Sequence, residues 1–159
     1  MGIAQRLYQE GLITYMRTDS IRLSDVAIKA AREYISGNFS KAHLPNEPNL
    51  YGDSKNAQAA HEAIRPSGDK FITPEELLSR HKEESDEYKL YKLIFNTTVA
   101  SQMTDAKGIT KTIEIEVSNT DFSPLILSIS GTTWTFGGYR DLINCLLYTS
   151  PSPRDVSSS

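Results

Sequence analysis

"FNTTVASQMTDAKGITKTIEIEV", residues 95–117, changes period in its middle. Before about Met103 the pattern is helical: a helix from about Ser85 to Met103 is expected, with Leu90, Leu93, Ile94 and Thr97 as its buried stripe. After Met103, Ile113, Ile115 and Val117 alternate with Glu114 and Glu116, the pattern of a half-buried strand. "PLILSIS" (124–130) and "TTWTF" (132–136) also read as strands. The expected fold class is therefore α+β. A helical unit covers residues 1–103 and a β-rich one residues 104–144.

Upstream of the switch the signals are helical. "IAQRLYQEGL" (3–12) reads as the end of a helix that stops at Gly11, and "LITYMR" (12–17) as a short extended segment. "SDVAIKAAREYISGN" (24–38) is a helix that Ser24 caps, Asp25 favours electrostatically and Gly37 ends, with Ala27, Ala31 and Tyr34 on one face. Residues 38–60 form a long aperiodic loop. "TPEELLSR" (73–80) starts a helix with Thr73 as cap, Pro74 in the first position and Glu76 completing a capping box. "CLLYTSPSPRDVSSS" (145–159) has no period and reads as a disordered tail. It resembles translated adapter sequence, so coding sequence is expected to end near Asn144 or earlier.

Composition narrows the function classes. The 159 residues are 38% hydrophobic and 23% charged, as in soluble globular proteins. The chain has no run able to span a membrane, and its single cysteine, Cys145, makes neither a disulfide framework nor a cysteine zinc site. A cytoplasmic location is the expectation. The three histidines, His43, His61 and His81, have no metal-site spacing. A net charge of −3 argues against an indiscriminately basic DNA-binding surface, although residues 1–41 carry six Lys/Arg against four acids.

The chemistry concentrates in "GLITYMRTDS" (11–20). On an extended segment Tyr15 and Arg17 point to the same face, so a phenol and a guanidinium would share one site. Arginine grips phosphate through paired charge-assisted bonds, which suits a tyrosine attacking a phosphodiester. The phenol, with an ordinary pKa of about 10, would need a positive environment or a base. The competing interpretation is a half-buried tyrosine beside a surface arginine.

"LITYMRTDS" (12–20) together with "AHEAIRP" (60–66) resembles the two signature motifs of type IA DNA topoisomerases, in the form found in the bacterial topoisomerase I branch. "AQRLYQEG" (4–11) and "GTTWTFGGY" (131–139) are similar to the same family, and the resemblance covers roughly residues 3–140. It implies that Tyr15 is the nucleophile, cutting one strand and holding its 5′ end as phosphotyrosine, and that Arg17 positions the scissile phosphate. It pairs Asp19 with His61 beside the tyrosine, as a proton path or a DNA contact; His61 alone would read as a structural histidine. Arg65 either contacts phosphate or braces its loop. Thr18 and Ser20 either touch DNA or hold the turn after Tyr15 through local backbone bonds, the blander role.

The resemblance further implies a winged-helix-like tyrosine domain followed by an incomplete piece of a β-rich arch. It implies DNA as partner, single-stranded at the cleavage site, other domains of the same full-length chain as neighbours, and a monomer near the bacterial nucleoid. Magnesium serves the full-length family through an acidic cluster in another domain, whose ligands this chain lacks. Glu114 and Glu116 read as the solvent face of a strand, so no cofactor is expected on this chain. Little or no relaxation activity is expected from it alone. The alternative reading is a non-catalytic winged-helix-like module that binds DNA or protein.

Overall fold

The computed structural model describes residues 2–17, 20–51, 62–119 and 122–143, and among these residues five α-helices, a 3-10 turn at Lys41–His43 and one long β-ribbon are formed. α1 spans Ile3–Gln9, α2 Asp25–Asn38, α3 Pro74–Leu77, α4 Asp86–Ser101 and α5 Arg140–Ile143. β1 (Lys107–Asn119) pairs antiparallel with β2 (Phe122–Phe136) in a two-stranded sheet. The fold is thus mixed α and β, as the change of period indicates.

Local signals place most boundaries. Gly11 leaves α1 with φ +71°, a conformation that costs glycine little. Ser24 Oγ accepts the Ala27 N–H at the start of α2. Both halves of the Thr73–Glu76 capping box form, with Pro74 in the first turn. Removing that cap with Thr73→Ala is expected to cost about 1 kcal/mol, read as a lower denaturation midpoint at unchanged slope. Gly37 does not end α2. The helix runs to Asn38, whose Nδ2 donates to the Tyr34 carbonyl, and Phe39 beyond it is extended.

The core is built on α4. Tyr88, Tyr91, Phe95 and Val99 are buried there and meet Leu7, Leu12, Ile13, Ala27, Ala31, Ile35, Phe71 and Leu77. This corrects the expected stripe. Leu93 is 55% exposed, Thr97 is exposed, and Leu90 and Ile94 only flank the core. The aromatic residues at 88, 91 and 95 have the same helical spacing and bury more area, so they take the inward face. Phe95 stands among Tyr34 (centroids 5.0 Å, nearly perpendicular), Phe71 (6.3 Å) and Tyr91 (6.4 Å). The Tyr91 hydroxyl donates to the Ile72 carbonyl at 2.6 Å, and burial pushes its pKa well above the phenol range.

The described part of the loop after α2 is anchored at several points. Arg32 donates to the Pro45 carbonyl at 2.9 Å. Asn49 donates to the Ser101 and Met103 carbonyls, and fully buried Gln102 donates back to Asn49. Residues 52–60 of that loop, the expected tail from 145 on and the end of the β-rich unit at Asn144 lie outside the described residues.

The ribbon departs from expectation in two ways. "PLILSIS" and "TTWTF" lie on one continuous strand. Ile113 faces Ile129, Ile115 faces Leu127 and Val117 faces Leu125, yet Ile113 is 60% exposed and the others are exposed too, so β1 is not half-buried here. A two-stranded ribbon has no second layer to cover its apolar face. Its base is packed tightly: a Cβ on Gly138 (φ +54°) would run into the Thr104 carbonyl. Among the described residues no helix is long and apolar enough to cross a membrane.

Candidate active site

The two motifs lie side by side. Ile13 and Pro66 form an antiparallel bridge. Thr14 N–H donates to the Arg65 carbonyl at 2.9 Å, and Ser67 N–H donates to the Leu12 carbonyl at 3.0 Å. The Thr14 hydroxyl donates to the Ala63 carbonyl at 2.9 Å and accepts the Arg65 N–H at 3.0 Å. Two segments fifty residues apart in sequence are thus joined just before Tyr15.

The extended run ends there. Arg17 N–H donates to the Tyr15 carbonyl at 2.9 Å, a three-residue turn. Strand alternation therefore does not describe how Tyr15 and Arg17 are presented; a tight turn does, because the strand pairing stops at Thr14. Tyr15 is 54% exposed and Arg17 is exposed. Ser20 Oγ accepts the Arg22 N–H at 3.2 Å, the local turn-holding bond of the blander reading. Thr18, Asp19 and His61 lie outside the described residues.

Arg65 is 8% exposed. Its Nε and Nη2 donate to the two Glu62 oxygens at 2.6 and 3.1 Å, and Nη2 also reaches Ser24 Oγ at 3.4 Å. Nη1 donates to the Pro66 carbonyl at 2.7 Å and the Gly68 carbonyl at 3.3 Å. The guanidinium is thus bonded to protein groups of its own motif and of the α2 cap. Glu62 carries a role that sequence reading missed: its Oε1 also accepts the Ser24 N–H at 2.9 Å. Burial pushes the Glu62 pKa upward, but hydrogen bonds from Arg65 and Ser24 outweigh it and hold the carboxyl below its usual range. The charged brace is therefore complete above the ordinary carboxylate range and is lost only as pH falls through that lowered value.

Tyr8 was legible only as a helical residue, yet its ring meets that of Tyr15 edge to face, with centroids 5.3 Å apart and planes at 71°. No spacing rule links the two, because α1 ends at Gln9 and Gly11 turns the chain between them. Tyr8→Ala is expected to move the Tyr15 ring proton resonances, whereas Tyr8→Phe leaves them in place, because the ring edge rather than the hydroxyl makes the contact. Equal spectra for both variants would contradict this.

Tyr15 does not line the cavity of about 880 Å³ between α2 and residues 69–76, whose walls include Val26, Tyr34, Phe71 and Glu76. Among the described residues no three His, Cys, Asp or Glu side chains group to hold a metal ion. Glu114 and Glu116 are exposed, opposite Ser128 and Ile126 on the ribbon. These residues do not fit a magnesium site.

Comparison with known sequences places this geometry in context. A family model described as DNA topoisomerase matches residues 1–152. DNA topoisomerase 1 of Streptomyces coelicolor is 49% identical over 140 residues, 87% of this chain and 14% of the relative. DNA topoisomerase 1 of Mycolicibacterium smegmatis is 48% identical over the same length, 15% of that protein. That of Vibrio cholerae is 48% identical over 118 residues, 74% of this chain. The chain thus spans about one seventh of the length of such relatives.

Proposed function

The chain belongs to the type IA DNA topoisomerase family, a family of isomerases, and from that premise we propose that it carries the strand-cleaving tyrosine of such an enzyme. Tyr15 Oη attacks the phosphorus of a DNA phosphodiester. The P–O bond to the 3′ oxygen breaks, and the phenol proton passes to a base while the departing 3′ oxygen takes up a proton. The 5′ phosphate remains on Tyr15 as a phosphodiester, so the bond energy is retained and the returning 3′ hydroxyl reverses the step without a nucleotide cofactor. Arg17 holds the non-bridging oxygens and offsets charge that develops there. Asp19 and His61 act beside them in proton movement or DNA contact, and Thr18 and Ser20 line the same strand.

The observation that carries this reading is the exposed Tyr15, at a tight turn that begins where Thr14 is bonded to Ala63 and Arg65 of the second motif. Strand passage between cleavage and religation would relax negative supercoils. The remaining parts of the proposal follow the same premise: a winged-helix-like tyrosine domain over residues 1–103, the start of an arch over 104–144, single-stranded DNA at the cut, magnesium held by other parts of the full-length protein, and a cytoplasmic monomer. The test is a graft in which residues 1–143 replace the matching segment of the Streptomyces coelicolor relative. Incubated with end-labelled single-stranded DNA and denatured, the graft is expected to retain label covalently. A graft that is folded and binds DNA yet traps no label would instead identify a non-catalytic binding module.

A further inference from the structure

The chain leaves the paired segment at Thr14 and meets it again at Arg22, and both points bond to one residue, Ala63. The Thr14 hydroxyl donates to the Ala63 carbonyl, and Ala63 N–H donates to the Arg22 carbonyl at 2.8 Å. Two residues past Arg22, Ser24 N–H is held by Glu62, the neighbour of Ala63. The loop that presents Tyr15 and Arg17 is therefore closed by two consecutive residues of "AHEAIRP". The Ser24 that Glu62 holds is also the cap of α2, so Glu62 ties the loop exit to a helix of the core.

Arg65 makes this arrangement compatible with a polyanionic ligand. An uncompensated carboxylate beside the Tyr15 loop would repel phosphate. The guanidinium cancels that charge and makes five contacts, one for each of its N–H groups: three to Glu62 and Ser24, two to the Pro66 and Gly68 carbonyls. Gly68, with φ +84°, turns the chain so that its carbonyl faces back toward the arginine. With its donors so committed and its side chain buried, Arg65 acts inward rather than on a ligand.

We propose that Glu62 and Arg65 are positioning residues for the Tyr15 loop, acting on cleavage by fixing where the loop closes; the inference rests on the reading of Tyr15 as nucleophile. In the 159-residue chain, Glu62→Ala is expected to speed amide exchange at Ser24 and Ala63 at least tenfold, with Tyr91 and Phe95 in α4 unchanged. Glu62→Gln keeps a carbonyl for Ser24 N–H but loses the charged grip on Arg65, so a smaller acceleration confined to the same amides is expected. In the graft, Glu62→Gln is expected to slow adduct formation at saturating DNA at least tenfold, with the half-saturating DNA concentration within about twofold of the parent. Unchanged exchange at Ser24 and Ala63, equal acceleration through α4 in Glu62→Gln, or an adduct rate equal to the parent each overturns the positioning role. An unsubstituted graft that forms no adduct removes the nucleophile reading and the positioning role with it.

Discussion

Tyr15→Phe in the graft is expected to reduce covalent label transfer on the order of 10⁴-fold or more, the scale on which loss of a covalent nucleophile acts. Phenylalanine preserves the ring and its edge contact with Tyr8 and removes only the hydroxyl that would bond to phosphorus. Because the Tyr15 ring is 54% exposed, stability should change by no more than roughly 0.5 kcal/mol. DNA affinity should hold as well, since the cationic contacts remain. The signature is therefore a folded, DNA-binding protein with no adduct. Arg17→Ala should fall less far, by about 10² to 10³-fold, as expected for loss of one charge-stabilising group. Arg17→Lys should recover part of that loss, because lysine supplies the charge without the planar pair of donors. Label retained by the Tyr15→Phe protein at the parental level would mean that another residue attacks.

The second large effect concerns the core. Phe95→Ala is expected to cost about 3–5 kcal/mol, the usual range for deleting a buried aromatic ring. Phe95 is fully buried and touches rings from α2, from the segment before α3 and from its own helix, so no single neighbour can collapse into the space. A loss of that size is a large part of the roughly 5–15 kcal/mol that holds a domain folded, and cooperative melting should move down by about 15 °C or more. Leu93→Ala, on the same helix but 55% exposed, should cost under about 1 kcal/mol. Thermal and denaturant unfolding of the pair checks the assignment of the buried face. Equal losses at 93 and 95 would return the stripe to the residues favoured by hydropathy alone.

These two residues also show where the sequence is and is not readable. Leu93 belongs to the most aliphatic stripe of α4, and a pattern of aliphatic residues at helical spacing points to it. A second stripe, Tyr88, Tyr91 and Phe95, has the same spacing and larger rings, but ring size alone does not say which stripe meets partners that can cover it. The choice comes from α1, α2 and the segment before α3, which supply Leu7, Tyr34 and Phe71 as partners. The ribbon has the same difficulty in reverse. Alternation of Ile113, Ile115 and Val117 with glutamate identifies a strand with one apolar face, but whether that face is covered depends on a neighbour, and among the described residues none covers it.

By itself the sequence determined what depends on a few consecutive residues: the Ser24 cap, the Thr73–Glu76 box, the stop at Gly11, the passage from helix to strand between Met103 and Lys107, and the two motifs that carry the family. Each is decided by hydrogen bonds or side-chain spacing within one or two turns of chain. Only the tertiary structure decided that the strand run stops at Thr14, that Tyr8 supports the Tyr15 ring, and that Arg65 turns inward to Glu62 and Ser24. Those contacts join residues far apart along the chain, and their formation depends on the helices that fold around α4. A guanidinium takes whichever carboxylate and carbonyl groups that packing brings within reach, which no local pattern around Arg65 specifies.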